Sequence, residues 1–67
     1  MAVSAVVTKP NDEGGQYILY FHGDHTADLW HHPADGQARR LITRNALGAV
    51  RREMVQRGIS EEGWTAG

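Results

Sequence analysis

Six imidazole and carboxylate side chains lie close together in the first half of the sequence: His22, Asp24, His25, Asp28, His31 and His32. Nitrogen and oxygen ligands of these types suit zinc or nickel. Adjacent residues of a strand point to opposite faces, however, so His31 and His32 cannot easily reach one ion. The spacing of the six residues also matches no known metal-binding motif. We therefore predict that the chain has no metal site and no cofactor.

Four strands are predicted to position these residues. Apolar and β-branched segments separated by glycine- and proline-containing loops predict strands at about 2–8, 16–22, 26–32 and 37–43. The second of them contains five consecutive large apolar or aromatic residues, which is typical of a central strand covered on both faces. We expect the first two strands to pair as a hairpin.

A turn at Pro33 to Gly36 is predicted to join the third and fourth strands, because proline, aspartate and glycine each favour a turn conformation. If this turn has four residues, Trp30 lies opposite Arg39 and Ala27 lies opposite Ile42. A shift of one residue would exchange the two faces of the fourth strand, so this register is a working hypothesis.

The clearest element is a helix at about 45–57. Asn45 is a favourable N-cap, and Leu47, Val50 and Met54 follow at helical spacing. Gly58 is expected to end the helix at the C′ position. The remaining residues form a tail, 58–67, and from Ser60 onward Trp64 is its one large apolar anchor. The predicted fold is α+β: one domain, 1–67, with a three- to four-stranded antiparallel sheet and one helix packed across one face, in the order ββββα.

Length and composition exclude several classes of protein. The chain has 67 residues, of which 40% are hydrophobic, so it can form one thin core. It contains no cysteine, hence no disulfide, and no apolar run approaches the ~20 residues of a membrane helix. Without a recognisable targeting segment, we expect the protein to be cytoplasmic and not bound to a membrane.

Charge is distributed unevenly along the chain. Residues 1–36 contain one cation and five acidic residues, whereas residues 37–67 contain six arginines and three acidic residues. This division would create one acidic and one basic face if the fold kept the two halves apart. Antiparallel packing would instead interleave the charges. The sequence leaves both possibilities open.

One stretch of the chain resembles the HicA toxins. The resemblance is carried by Gly23-Asp24-His25, by His32-Pro33-Ala34-Asp35-Gly36, and by the basic strand and helix that end at Arg57-Gly58-Ile59. Those proteins are small ribonucleases with a double-stranded-RNA-binding-like fold and one catalytic histidine. The resemblance implies that His25 would be that histidine. The family begins with a helix, whereas residues 1–22 here predict two strands.

Nucleic-acid binding is a further alternative. Trp30 lies beside Arg39 in the predicted register, and Arg40, Arg44, Arg51 and Arg52 follow, so an aromatic platform is combined with cations. A dedicated nucleic-acid-binding domain is usually more basic than this chain, whose isoelectric point is about 6.4. A cross-strand stack of Trp30 on Arg39, beside solvated helix arginines, explains the same pattern without a ligand.

The face of the sheet that the helix does not cover is the best candidate for a functional surface. The working register places Asp28, Trp30, Arg39 and Leu41 there. Alternate residues of the second strand join them, either from the set Tyr17, Leu19 and Phe21 or from the set Ile18 and Tyr20. Aromatic residues and arginine with a charged border are typical of protein–protein contacts. Two other arrangements would also explain an apolar surface here: a homodimer that forms through this face, or a tail that folds over the face and is anchored by Trp64.

The sequence contains no recognisable catalytic set, so we interpret the chain as a binding module rather than an enzyme. In size and simplicity it is similar to the small inhibitors encoded by phages and mobile elements, anti-CRISPR proteins among them. The expected partner is a protein or ribonucleoprotein complex of the host, and the chain itself is expected to be a monomer or a homodimer. The candidate binding residues are Asp24, Asp28, Trp30, Asp35, Arg39 and Arg52.

Overall fold

A computed structural model describes residues 3–67 of the chain. These residues form a five-stranded antiparallel sheet and one helix. The elements are β1 (Val3–Pro10), β2 (Gln16–His22), β3 (Thr26–His32), β4 (Arg39–Ala46), α1 (Leu47–Gln56) and β5 (Thr65–Ala66). The order of strands across the sheet is β4-β3-β2-β1-β5. The predicted ββββα arrangement is confirmed, with a short fifth strand added; residue 2, predicted to begin β1, lies outside the described residues.

β2 is the middle strand of the sheet, as its run of apolar residues predicts. It pairs with β1 as a hairpin, in which Val7 lies opposite Leu19. It pairs with β3 through a three-residue turn, so that Leu19 also lies opposite Leu29. Because side chains alternate along each strand, Tyr17, Leu19 and Phe21 face α1, and the residues between them face the opposite side.

The hydrophobic core lies between the sheet and α1. α1 packs on β3 and β4, and its two buried residues are Val50 and Met54. The buried apolar residues are Leu19, Ala27, Leu29, Ile42, Val50, Met54 and Ile59. Trp64 packs against this core from the tail. The helix periodicity and the anchoring role of Trp64 are therefore as predicted.

The end of α1 is also as predicted. Gly58 has a φ of +76°, which is in the left-handed region that glycine adopts without strain. This conformation lets the Gly58 amide donate to the Val55 carbonyl at 3.0 Å and the Ile59 amide donate to the Met54 carbonyl at 2.9 Å. The pair of bonds is a Schellman motif, and it turns the buried Ile59 back onto the helix.

The boundary between β4 and α1 differs from the prediction. β4 starts at Arg39 rather than 37 and continues to Ala46, so Asn45 pairs with Ala27 in the sheet and is not the N-cap. The residue before the helix is Ala46, which has no capping side chain. The helix instead begins where the Leu47 amide donates to the His25 carbonyl at 3.1 Å. Pairing with β3 therefore determines where this helix begins.

The predicted register between β3 and β4 is wrong. Trp30 lies opposite Arg40, and Ile42 lies opposite Leu29. Arg39, the predicted partner of Trp30, lies opposite His31. The connection spans residues 33–38 rather than four residues, and the ladder is irregular on both sides of Leu29, which together displace the pairing.

The tail adds an edge strand that the sequence does not signal. β5 pairs with Val7 and Thr8 of β1, and the Lys9 ammonium donates to the Ser60 and Glu62 carbonyls. The tail therefore lies at the β1 edge and on the α1 side of the sheet. The alternative in which the tail folds over the opposite face of the sheet is wrong. No helix within residues 3–67 is long and apolar enough to cross a membrane.

Candidate functional site: the open face of the sheet

Within residues 3–67 no element covers the face of the sheet opposite α1, and we call this face the open face. Alternation along the strands places these side chains on it: Val6, Thr8, Ile18, Tyr20, His22, Asp28, Trp30 and Arg40. Asp28 and Trp30 were predicted to lie there, and they do. Of the two possible sets from β2, the open face has Ile18 and Tyr20. Leu41 packs against the core instead, and Arg39 lies on the α1 side.

Asp28 is the buried centre of this face. It is 8% exposed although its side chain carries a carboxylate. One carboxylate oxygen accepts a hydrogen bond from His22 Nε2 at 2.7 Å, and the other accepts one from Trp30 Nε1 at 2.6 Å. Both oxygens therefore have a donor, which offsets much of the free-energy cost of burying the carboxylate.

The pairing with Asp28 also fixes how His22 is oriented. Its Nδ1 atom is buried and has no hydrogen-bond partner among residues 3–67. A carboxylate can only accept, so His22 Nε2 is the donor of this bond. His22 is not among the predicted binding residues. The three-residue turn that places His22 opposite Thr26 also places it diagonal to Asp28, and that diagonal is the signal that could have identified it.

An aromatic and cationic cluster lies beside this network. Tyr20 and Trp30 contact edge to face, with ring centroids 6.3 Å apart. The Arg40 guanidinium lies over Trp30, 5.7 Å from the ring centroid. Arg40 thus takes the stacking position predicted for Arg39. A shallow cavity of about 320 Å³ adjoins the cluster, and its lining includes Val3 and Ala38.

Comparison of the chain with protein-family models, curated proteins and solved structures yields no match. The functional interpretation therefore depends on the geometry of this chain alone.

The predicted acidic residues do not form one surface. Asp24 lies in the turn before β3, Asp28 is buried within β3, and Asp35 is exposed in the loop after it. Asp24 is already paired: a hydrogen bond from the Thr26 hydroxyl at 2.5 Å, and then the Arg44 guanidinium at 2.6 Å, hold the pKa of Asp24 below its ordinary value of 3.8. The ion pair joins the acidic half of the chain to the basic half, so charges are interleaved at this position.

The arginines are also dispersed. Arg44, Arg51 and Arg57 form ion pairs with Asp24, Glu61 and Glu53, respectively. Within the described part of the chain Arg39, Arg40 and Arg52 form none. Of these three, Arg40 alone lies on the open face, and Arg52 is exposed on α1.

His25, the residue implicated by the resemblance to HicA toxins, lies in the exposed turn between β2 and β3 rather than on a strand. Its φ of +64° is the one left-handed conformation among the non-glycine residues from 3 to 67. Its side chain has no hydrogen-bond partner in this part of the chain that could orient it. For residues 3–67, no three histidine, aspartate or glutamate side chains are placed to hold one metal ion.

Proposed function

We propose that the chain is a non-enzymatic binding module that acts in the cytoplasm and modulates a larger protein or ribonucleoprotein complex by covering a surface on it. The contact is the open face, centred on Trp30. The observation that carries this proposal is the cluster of Tyr20, Trp30 and Arg40 on a sheet face that no element of the described chain covers. Tryptophan, tyrosine and arginine are the residues in which binding free energy is most often concentrated at protein interfaces.

The network beneath the cluster supports this role. The Trp30 indole nitrogen donates to a buried carboxylate, so the ring is held in one orientation before a partner arrives. A side chain that is already ordered loses less conformational entropy on binding. In size and simplicity the chain is similar to the small inhibitors of phages and mobile elements, anti-CRISPR proteins among them, which act by covering a surface on a larger complex.

A protein surface fits the open face better than a nucleic acid does. Binding to a nucleic acid derives much of its free energy from cations that neutralise successive phosphates. Arg44 is engaged by Asp24, which leaves Arg40 as the unpaired cation of the described open face. One cation with two aromatic rings suits a protein patch that combines apolar groups with a carboxylate.

An affinity pull-down from bacterial lysate, with and without nuclease treatment, tests this proposal. Baits are the wild type, Trp30→Ala, and Val55→Ala, which changes an exposed residue of α1. We expect a discrete set of proteins that survives nuclease treatment, is retained by the Val55→Ala bait, and is reduced at least about tenfold with Trp30→Ala. Circular dichroism of each bait confirms that it is folded.

Three outcomes would contradict the proposal. Enrichment that disappears with nuclease would indicate nucleic-acid binding. Equal capture by the wild type and a folded Trp30→Ala bait would exclude the open face. Growth arrest on expression, relieved by His25→Ala, would indicate a toxin ribonuclease instead.

A further inference from the structure

An apolar groove lies on the other side of the sheet, between α1 and the tail. α1 packs on β3 and β4, so Val7 of β1 and Phe21 of β2, on the same side of the sheet, are only partly covered. Trp64 borders the groove from the tail. The cavity between them measures about 530 Å³, and its apolar lining includes Val7, Phe21, Leu47, Val50, Met54 and Trp64. This volume is in the range of small-molecule binding sites.

The polar side chains that line the groove are one ion pair. The Arg51 guanidinium donates to the Glu61 carboxylate, joining the helix to the tail. Both side chains are more than half exposed, at 71% and 55%. Exposed ion pairs of this kind contribute little to stability, so a carboxylate from outside can replace Glu61 on Arg51 at little cost.

Two residues in the first turn of α1 keep the groove accessible. Leu47 remains 38% exposed. Gly48 is a poor helix former, yet a β-carbon at this position would meet no atom within 4 Å. Local packing therefore does not require glycine at position 48. The absence of a side chain there leaves space at the lining of the groove.

We propose that this groove binds a small amphiphile: a molecule with an aliphatic chain and one carboxylate. The chain would lie among the apolar side chains, and the carboxylate would replace Glu61 as the partner of Arg51. Arg51 is the one cation in the described lining of the groove, so a ligand with a single negative group can take the place of Glu61 on it. The site is independent of the proposed function, because the open face and the groove lie on opposite sides of the sheet.

Titration of ¹⁵N-labelled protein with sodium decanoate, below its micellar concentration, tests the site by NMR. We expect saturable shifts that include the amides of residues 47–54 and the Trp64 indole, while the Trp30 indole does not shift. Arg51→Gln should weaken decanoate binding about fivefold and leave binding of decan-1-ol unchanged. Glu61→Gln should strengthen decanoate binding, because it removes the competing carboxylate.

Filling the groove provides a steric test. Gly48→Leu places a side chain in the empty space and should abolish the shifts, whereas Gly48→Ala, the matched control, should retain them. Melting temperatures confirm that both variants fold. The site is refuted if decanoate causes no saturable shifts, if the shifts are on the open face, or if Arg51→Gln changes binding of decanoate and decan-1-ol equally. An Arg40→Glu variant that loses its protein partner but still binds decanoate would separate this site from the open face.

Discussion

Leu29→Ala is expected to reduce the free energy of unfolding by about 3–4 kcal/mol. Leu29 is the largest side chain that is fully buried, in the strand between β2 and β4 and opposite both Leu19 and Ile42. Alanine would leave a cavity that β2 and β4, which are hydrogen-bonded to β3 on either side, cannot close. A chain of 67 residues has a total stability of only about 3–10 kcal/mol. The variant therefore loses at least about a third of the stability of the fold.

Thermal unfolding followed by circular dichroism measures this effect. We expect the melting temperature to fall by about 15–25 °C, or the cooperative transition to disappear. Val55→Ala is the matched control, because Val55 is apolar but 63% exposed, and it should change stability by less than about 0.5 kcal/mol. A fall of only a few degrees for Leu29→Ala would contradict the assignment of Leu29 to the centre of the core.

Asp28→Ala is expected to cost about 2–4 kcal/mol, although it replaces an acidic residue with an apolar one. The reason is that two half-buried donors, His22 Nε2 and Trp30 Nε1, lose their acceptor together. Urea denaturation measures the loss. The tryptophan fluorescence of the folded variant should also change, because the indole of Trp30 is no longer bonded to the carboxylate.

Asp28→Asn is the matched control for this network. An asparagine amide can accept from Trp30 and donate to His22 Nε2, once the histidine proton moves to Nδ1. We expect this variant to lose about 1–2 kcal/mol, less than the alanine variant, because both hydrogen bonds to residue 28 are kept although the buried Nδ1–H of His22 has no acceptor. If the alanine and asparagine variants were equally stable, and both close to the wild type, the network would not hold Trp30 in place.

The fold could largely be predicted because its main signals are local. The apolar run of β2 identifies the central strand, and Gly58 followed by Ile59 identifies the end of the helix. The start of the helix could not be predicted, because β3 engages Asn45 in the ladder and overrides its capping preference. β5 has two residues and depends on the edge of β1, which no local pattern indicates.

The candidate site could be predicted in part. Alternation along β3 places Asp28 and Trp30 on the same face, as the structure has them. The partner of Trp30 could not be predicted, because an irregular ladder and a longer loop exchange Arg39 for Arg40. The role of Asp28 also differs from that of an exposed acidic contact. The Asp28 carboxylate accepts hydrogen bonds from His22 and Trp30 within the protein. It affects the surface indirectly, by orienting Trp30.

The positions of Arg39 and Arg40 on opposite faces provide the most direct test of the open face as the binding surface. Arg39 and Arg40 are neighbours in sequence and both are exposed, yet they lie on opposite faces of the sheet. Arg39→Glu and Arg40→Glu change the net charge equally. The affinity of each variant for the protein captured in the pull-down, measured by isothermal titration calorimetry, compares the two faces. We predict that Arg40→Glu weakens binding at least about tenfold and that Arg39→Glu changes it less than about twofold. Equal loss in both variants, or a larger loss for Arg39→Glu, would contradict the open face as the site of binding.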